Sequence, residues 1–289
     1  MSLQKTATIV SSITAFLLLV IKFSVGIISG SIAVLSSAID SLLDLFVSLF
    51  NYFAVSRAEK EPDSKYNYGR GKIEALASLF EGLIITGSGF YILYISINKF
   101  INKETISYLG ESVLVMIISV LITGILVYFL EYVVKKTNNL VIKSDVLHYK
   151  TDLFSNAGIL IGLVVIHYTG FYLIDSIIGI IISFYIIYSA FELIKTGYLY
   201  LMDASIEKKE VKKIKKIIMG HKRVTSYHFL KTRQIGNTKF VEVHIVFNKK
   251  MLLLEAHDIG DMIEEEIPKI DIKSEWNITL HLDPYDDSI

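Results

Sequence analysis

Residues 36–50, SSAIDSLLDLFVSLF, decide how the whole chain has to be read. Asp40 and Asp44 stand inside an apolar run long enough to cross a bilayer. A carboxylate at mid-span costs roughly 2.5–3.5 kcal/mol on insertion scales, so two of them require compensation. Their four-residue spacing places both on one helical face. In a span that runs inward they lie about 12 and 18 Å below its outer end. The plain reading is a polar pair tying helices together; the sharper one is a cation held between helices.

The surroundings favour a membrane protein. Of 289 residues 52% are hydrophobic and only 3 are Pro, and the apolar residues fall in runs too long for a soluble core helix. Residues 1–200 are mostly apolar, whereas 205–289 alternate charged and apolar positions like a small soluble domain. The predicted domains are therefore 1–204, in the membrane, and 205–289, in the cytoplasm. Six spans are predicted, near 8–29, 32–56, 73–98, 112–134, 141–168 and 173–196. The first span has no small-residue cleavage site after it and is read as a span, not a leader. Gly82, Gly87 and Gly89 in the third span would permit close helix contacts.

Charge sets the orientation. The 2–3 connector carries Arg57, Lys60, Lys65, Arg70 and Lys72, and the 4–5 connector carries Lys135, Lys136 and Lys143. The 1–2 and 5–6 connectors hold no Lys or Arg, and in the 3–4 loop Lys99 and Lys103 are offset by Glu104 and Glu111. The positive-inside bias then puts both termini in the cytoplasm of a multi-pass protein of the cell or inner membrane, with lipid as its solvent. Balanced charge, with 29 basic and 29 acidic residues, gives no support to a nucleic-acid partner. Without cysteine there are no disulfides or thiolate ligands, so any metal must be held by His, Asp or Glu.

The fifth span supplies the partner of the opening stretch. In SDVLHYKTDLFSN, His148 and Asp152 repeat the four-residue spacing. Two such helices face to face offer three carboxylates and one imidazole, a set that suits a four-coordinate divalent ion. The site is negative when the imidazole is neutral, so protons are the natural replacement when metal leaves. Asp145, nearer the cytoplasmic end, reads as a solvated helix-entry charge. Glu81 reads as a polar contact or a proton-path group, Asp175 as a helix N-cap, and His167 as interfacial.

DSLLD on span 2 and HYKTD on span 5 of a six-span chain resemble the cation diffusion facilitator family. YGRGKIEAL entering span 3, LMD after span 6 and the tail fall in the order of that family over nearly the whole chain. The resemblance implies a homodimeric exporter that exchanges cytoplasmic divalent metal for protons by alternating access. It implies Asp40, Asp44, His148 and Asp152 as transport ligands, with His favouring Zn2+, Cd2+ or Fe2+ over Mn2+. It also implies a salt-bridge interlock between Lys72 and Asp203. A connector metal site found in family members is not expected here, because Tyr66 and Arg70 stand where the histidines would be and only Asp63 remains.

The tail reads as helix 205–220, strands near 225–234 and 239–248, helix 254–267 ending before Pro268, and strand 275–283. The order α-β-β-α-β predicts a small α+β, metallochaperone-like domain with helices on one face of a sheet. His281 and Asp283 share a strand face. The resemblance implies a tail metal site, structural or regulatory, built from His228, His244, His257, His281 and Asp283. Within it, Asp283 would be the carboxylate shared between ions and His257 the residue reaching across the dimer.

The expected function is a divalent metal/proton antiporter, with Zn2+ or a similar cation as both substrate and tail ion, and not an enzyme. No G-x-x-x-x-G-K-[ST] motif occurs, so a proton gradient is the expected energy source. Two other classes remain open: a membrane-anchored metal sensor, and an integral-membrane metalloenzyme. The latter usually shows Glu-x-x-His repeats, which are missing here.

Overall fold

The computed structural model describes residues 2–29, 32–102, 110–169 and 173–287. Lys103 and Glu104, and the side chains of Glu111, His167 and Asp175, lie outside what is described. Two compact units divide at Tyr198 and Leu199, inside the last turn of α6.

The first unit is a bundle of six long helices: α1 Leu3–Ser29, α2 Ile32–Ala58, α3 Lys72–Asn102, α4 Gly110–Thr137, α5 Leu140–Thr169 and α6 Ile174–Leu201. Each extends beyond at least one end of its predicted span, α5 by a single residue at either end and the others further, because helical geometry continues past the hydrocarbon as long as backbone groups find partners. Five are long and apolar enough to cross a membrane on composition alone. The remaining one is α5, whose first half carries Lys143, Asp145, His148, Lys150 and Asp152. The helix that fails the hydropathy test is the one with the most ionisable chemistry.

The α4–α5 turn shows how the chain fixes α5. Asn138 closes α4 in the left-handed region, at φ 49°. Asn139 then caps α5, its Oδ1 accepting from the Ile142 amide at 3.1 Å. Leu126, Leu130, Val133, Val141, Ile142 and Tyr149 pack one core between α4, α5 and their neighbours. A second core joins Ile85 of α3 and Leu147 of α5 to Ile186, Ala190 and Leu193 of α6. Close approach there depends on glycine: a Cβ at Gly82 would lie 2.7 Å from Ile194, and one at Gly89 would lie 2.8 Å from Ile187. Gly87 has open space beside it and plays no such part.

The second unit holds α7 Lys208–Gly220, β1 Val224–Ile235, β2 Thr238–Phe247, α8 Leu253–Glu266 and β3 Glu275–Asp283. The sheet order is β1-β2-β3, with β1 and β2 antiparallel and β2 and β3 parallel. The crossover through α8 makes the second pairing parallel. Ile214 and Ile218 of α7, and Ile259 and Ile263 of α8, pack against Val243 and Ile245 of β2. The opposite face carries Glu242, His244, Asn277, Thr279, His281 and Asp283 beside the buried Phe240 and Val246.

Candidate metal centres

The opening carboxylates meet their partner helix in the bundle. Asp44 Oδ1 of α2 lies 3.0 Å from His148 Nε2 of α5, and Asp152 Oδ2 lies 4.0 Å from the same nitrogen. Ligand atoms of Asp44, His148 and Asp152 all fall within 4.8 Å of one another. Helical periodicity accounts for the α5 pair, and α2–α5 packing brings in the third group. Asp40 is not part of this grouping and is exposed along the bundle. Near it, Lys22 of α1 is 7% exposed and donates from Nζ to Ser41 Oγ at 2.9 Å. Sequence reading passed over Lys22, although a lone lysine in an apolar span is itself a signal.

Asp145 corrects its expectation. It is fully buried, not a solvated entry charge, and accepts from Ser11 Oγ at 2.7 Å and Asn51 Nδ2 at 3.2 Å. The bundle packs α1 and α2 against this face of α5, closing a position that the chain end alone makes look wet.

In the tail, register does what helical spacing does in the membrane. His228 of β1 pairs with His244 of β2, which pairs with His281 of β3, so three imidazoles form a row across the sheet. Buried Asp283 reaches all three: Oδ2 lies 2.9 Å from His244 Nδ1 and 3.3 Å from His228 Nε2, and Oδ1 lies 3.0 Å from His281 Nε2. A bulge follows His228, with Phe229 at φ 49°, and turns the strand at the cluster. His228 is 8% exposed, and neither ring nitrogen makes a hydrogen bond of acceptable geometry. Nitrogens close to carboxylate oxygens yet unbonded to them fit convergence on a shared cation.

Two ligand candidates were missed. Asp286 Oδ1 lies 3.1 Å from His228 Nδ1, and Asp287 Oδ1 lies 3.0 Å from His228 Nε2. Ligand atoms of His228, His244, Asp283 and Asp287 all lie within 4.8 Å of one another. The acid pair in YDDSI, just past a strand-end ligand, was the available signal. His257 is not brought to the cluster; it is exposed on α8, 3.7 Å from Asp261.

The 2–3 connector is occupied by a different chemistry. Asp63 pairs with Arg70, accepts from the backbone amides of Tyr66 and Lys65, each at 2.9 Å, and is held below the usual carboxylate range, chiefly by Arg70. The Arg70 guanidinium also lies over the Tyr66 ring, 4.3 Å from its centre. Of the expected interlock, Lys72 opens α3, and Asp203, at φ 53° just past α6, lies 3.6 Å from Arg233.

Profiles of two families cover these elements. The one described as "Cation efflux transmembrane domain" matches residues 8–202, and the one described as "Cation efflux protein, cytoplasmic domain" matches 206–285. The chain belongs to the cation efflux family. Members of this cation diffusion facilitator family are transporters, not enzymes, and the chain is a multi-pass membrane protein whose C-terminal domain is cytoplasmic. Protein p34 of Rickettsia rickettsii (strain Sheila Smith) is 31% identical over 283 residues, 98% of this chain and 93% of that protein. The cation-efflux pump FieF of Escherichia coli (strain K12 / DH10B) is 31% identical over 282 residues, again 98% and 93%. FieF of Yersinia enterocolitica reaches 33% over 265 residues, 92% of this chain and 88% of the relative. A solved chain of CzrB, studied as a zinc transporter, matches over 28% of this chain and 100% of its own length, at 26% identity and a TM-score of 0.26.

Proposed function

We propose that this cation efflux protein exports a divalent cation of the Zn2+ or Fe2+ type from the cytoplasm in exchange for protons. The observation that carries the reading is the approach of Asp44, His148 and Asp152 from two helices inside the bundle. Three potential ligands at that separation can tighten around an ion by side-chain rotation. Asp40, one helical turn outward on the same face of α2, is the fourth ligand in this reading. The imidazole favours borderline metals over Mg2+ or Mn2+. Protons competing for His148 and the carboxylates couple the two fluxes.

The tail cluster is a second metal site, structural or regulatory. His228, His244, His281 and Asp283 would hold its ions, with Asp286 and Asp287 added from this chain's own terminus. His257 supplies a ligand to the second copy of a homodimer, and bound metal strengthens that dimer by linkage. The name of the FieF relatives, cation-efflux pumps, supports a cation as the exported species.

The test is metal flux into proteoliposomes under an imposed pH gradient. Zn2+ uptake that follows the gradient and stops in Asp44→Ala is expected. Uptake indifferent to both would sink the reading.

A further inference from the structure

Glu81 on α3 and Asp145 on α5 are 1% and 0% exposed, yet neither belongs to a metal cluster. Asn51 of α2, itself fully buried, ties them together. Its Nδ2 donates to Glu81 Oε2 at 3.1 Å and to Asp145 Oδ1 at 3.2 Å. Ser144 Oγ donates to Glu81 Oε2 at 2.5 Å, and Ser11 Oγ of α1 donates to Asp145 Oδ2 at 2.7 Å. The donors are neutral, and among the described residues no Lys or Arg makes an ion pair with either acid.

Two buried carboxylates sharing one amide cannot both carry charge without a large cost, from desolvation and from mutual repulsion. Two further atoms there are orphans: Glu81 Oε1 and Asn51 Oδ1 are buried with no partner. Both are acceptors in the bonding pattern just described, so what the pocket lacks is a donor. A proton is the smallest species that supplies one while removing a charge.

The geometry points to Glu81 and Asp145 as a proton-binding pair, separate from the metal ligands, that fills as metal leaves and empties as metal enters. This rests on the exchange reading above. The helices that carry the metal ligands also carry the pair: Asp145 is one turn from His148 on α5, and Asn51 is two turns from Asp44 on α2. A cation at Asp44, His148 and Asp152 therefore disfavours the proton through the field, and the proton disfavours the cation. One carboxylate gains a proton drawn from the outer side and later gives it up to cytoplasmic water. The other titratable groups acting on the pair are Asp44 on α2 and His148 and Tyr149 on α5. On α4, Glu131 is paired with Lys150 of α5 at 2.5 Å.

The test uses the full-length protein in proteoliposomes, with Zn2+ as the probe, a trapped pH dye and infrared difference spectra. In the unaltered protein a protonated-carboxyl C=O band should disappear on Zn2+ addition. Glu81→Gln keeps an acceptor for Asn51 and Ser144. In that variant the band should be lost, calorimetric Zn2+ binding should persist, and proton movement should fall by about one proton per metal. A missing band in the unaltered protein overturns the pair without reference to any variant. So does a proton count undiminished in both Glu81→Gln and Asp145→Asn. Loss that follows Na+ rather than pH would assign the pocket to a monovalent cation and also overturn it. No metal-driven proton movement in the unaltered protein would instead fail the exchange reading itself.

Discussion

The membrane cluster and the tail cluster solve the same problem with opposite materials. In the membrane, Asp44 meets His148 and Asp152 through the packing of two helices, each contributing residues along one face. In the tail, three histidines are fixed by hydrogen-bonded register across a sheet, and one buried carboxylate touches all of them. Helices can slide or tilt by an ångström without breaking their own hydrogen bonds, whereas strands in register cannot. On the exchange reading proposed above, a site that opens and closes suits the first scaffold, and a site that retains its ion suits the second. The ligand sets differ as well: two carboxylates and one imidazole meet in the membrane, and three imidazoles with three carboxylates meet in the tail.

The sharpest way to break this comparison is to remove Asp44. Asp44→Ala should lower Zn2+ flux in proteoliposomes by more than about 100-fold, with the tail still binding metal by calorimetry. Equal loss of both functions would mean the clusters are not separate sites. Next in size is the tail carboxylate. Asp283→Ala should weaken tail metal binding about 10- to 100-fold and abolish the rise in dimer melting temperature on Zn2+ addition, while flux changes only a few-fold. Flux lost as completely as in Asp44→Ala would give the tail a direct part in transport.

His148→Asp tests the ligand chemistry itself. Exchanging borderline imidazole for hard oxygen should move the Mn2+ to Zn2+ flux ratio upward by about tenfold, read by competition in the same vesicles. An unchanged ratio would place selectivity outside this residue.

The smallest effect concerns the scaffold of the tail. Burial works against the charge on Lys239, but its hydrogen bonds to Glu210 at 2.6 Å and Asp271 at 2.8 Å outweigh it and raise its pKa. Asp271, hydrogen-bonded chiefly to Lys239, is pushed down to about 2. A carboxylate with a lowered folded-state pKa stabilises above its unfolded value near 4, and that contribution is lost as pH falls through about 2. Asp271→Asn should therefore cost the tail about 1–2 kcal/mol at neutral pH, allowing for partial solvent screening. The difference from the unaltered protein should shrink as pH falls below about 4 and vanish only below about pH 2 in denaturant melts. A pH-independent difference would show that packing, not charge, sets the effect.

Much of the molecule was legible in the chain. Long apolar runs and alternating connector charge gave the helices and their direction, since the bilayer leaves few other ways to satisfy a backbone. Period-two alternation gave all three tail strands to within a few residues. The reading of Asp145 failed for a physical reason: distance from a helix end says how near water lies along the axis, not what packs across it. Lys22, Asp286 and Asp287 were missed because each acts through a neighbour distant in sequence.

What the sequence determined by itself was the supply: which segments could span, and which faces would carry Asp40 with Asp44 and His148 with Asp152. Local periodicity fixes these relations, because residues on one element share its geometry. Only the tertiary structure decided which groups converge. It set Asp44 against His148, left Asp40 apart, enclosed Glu81 with Asp145 around Asn51, and brought the last two aspartates to His228. Those contacts join different elements, and their distances follow from packing and register rather than from spacing along the chain.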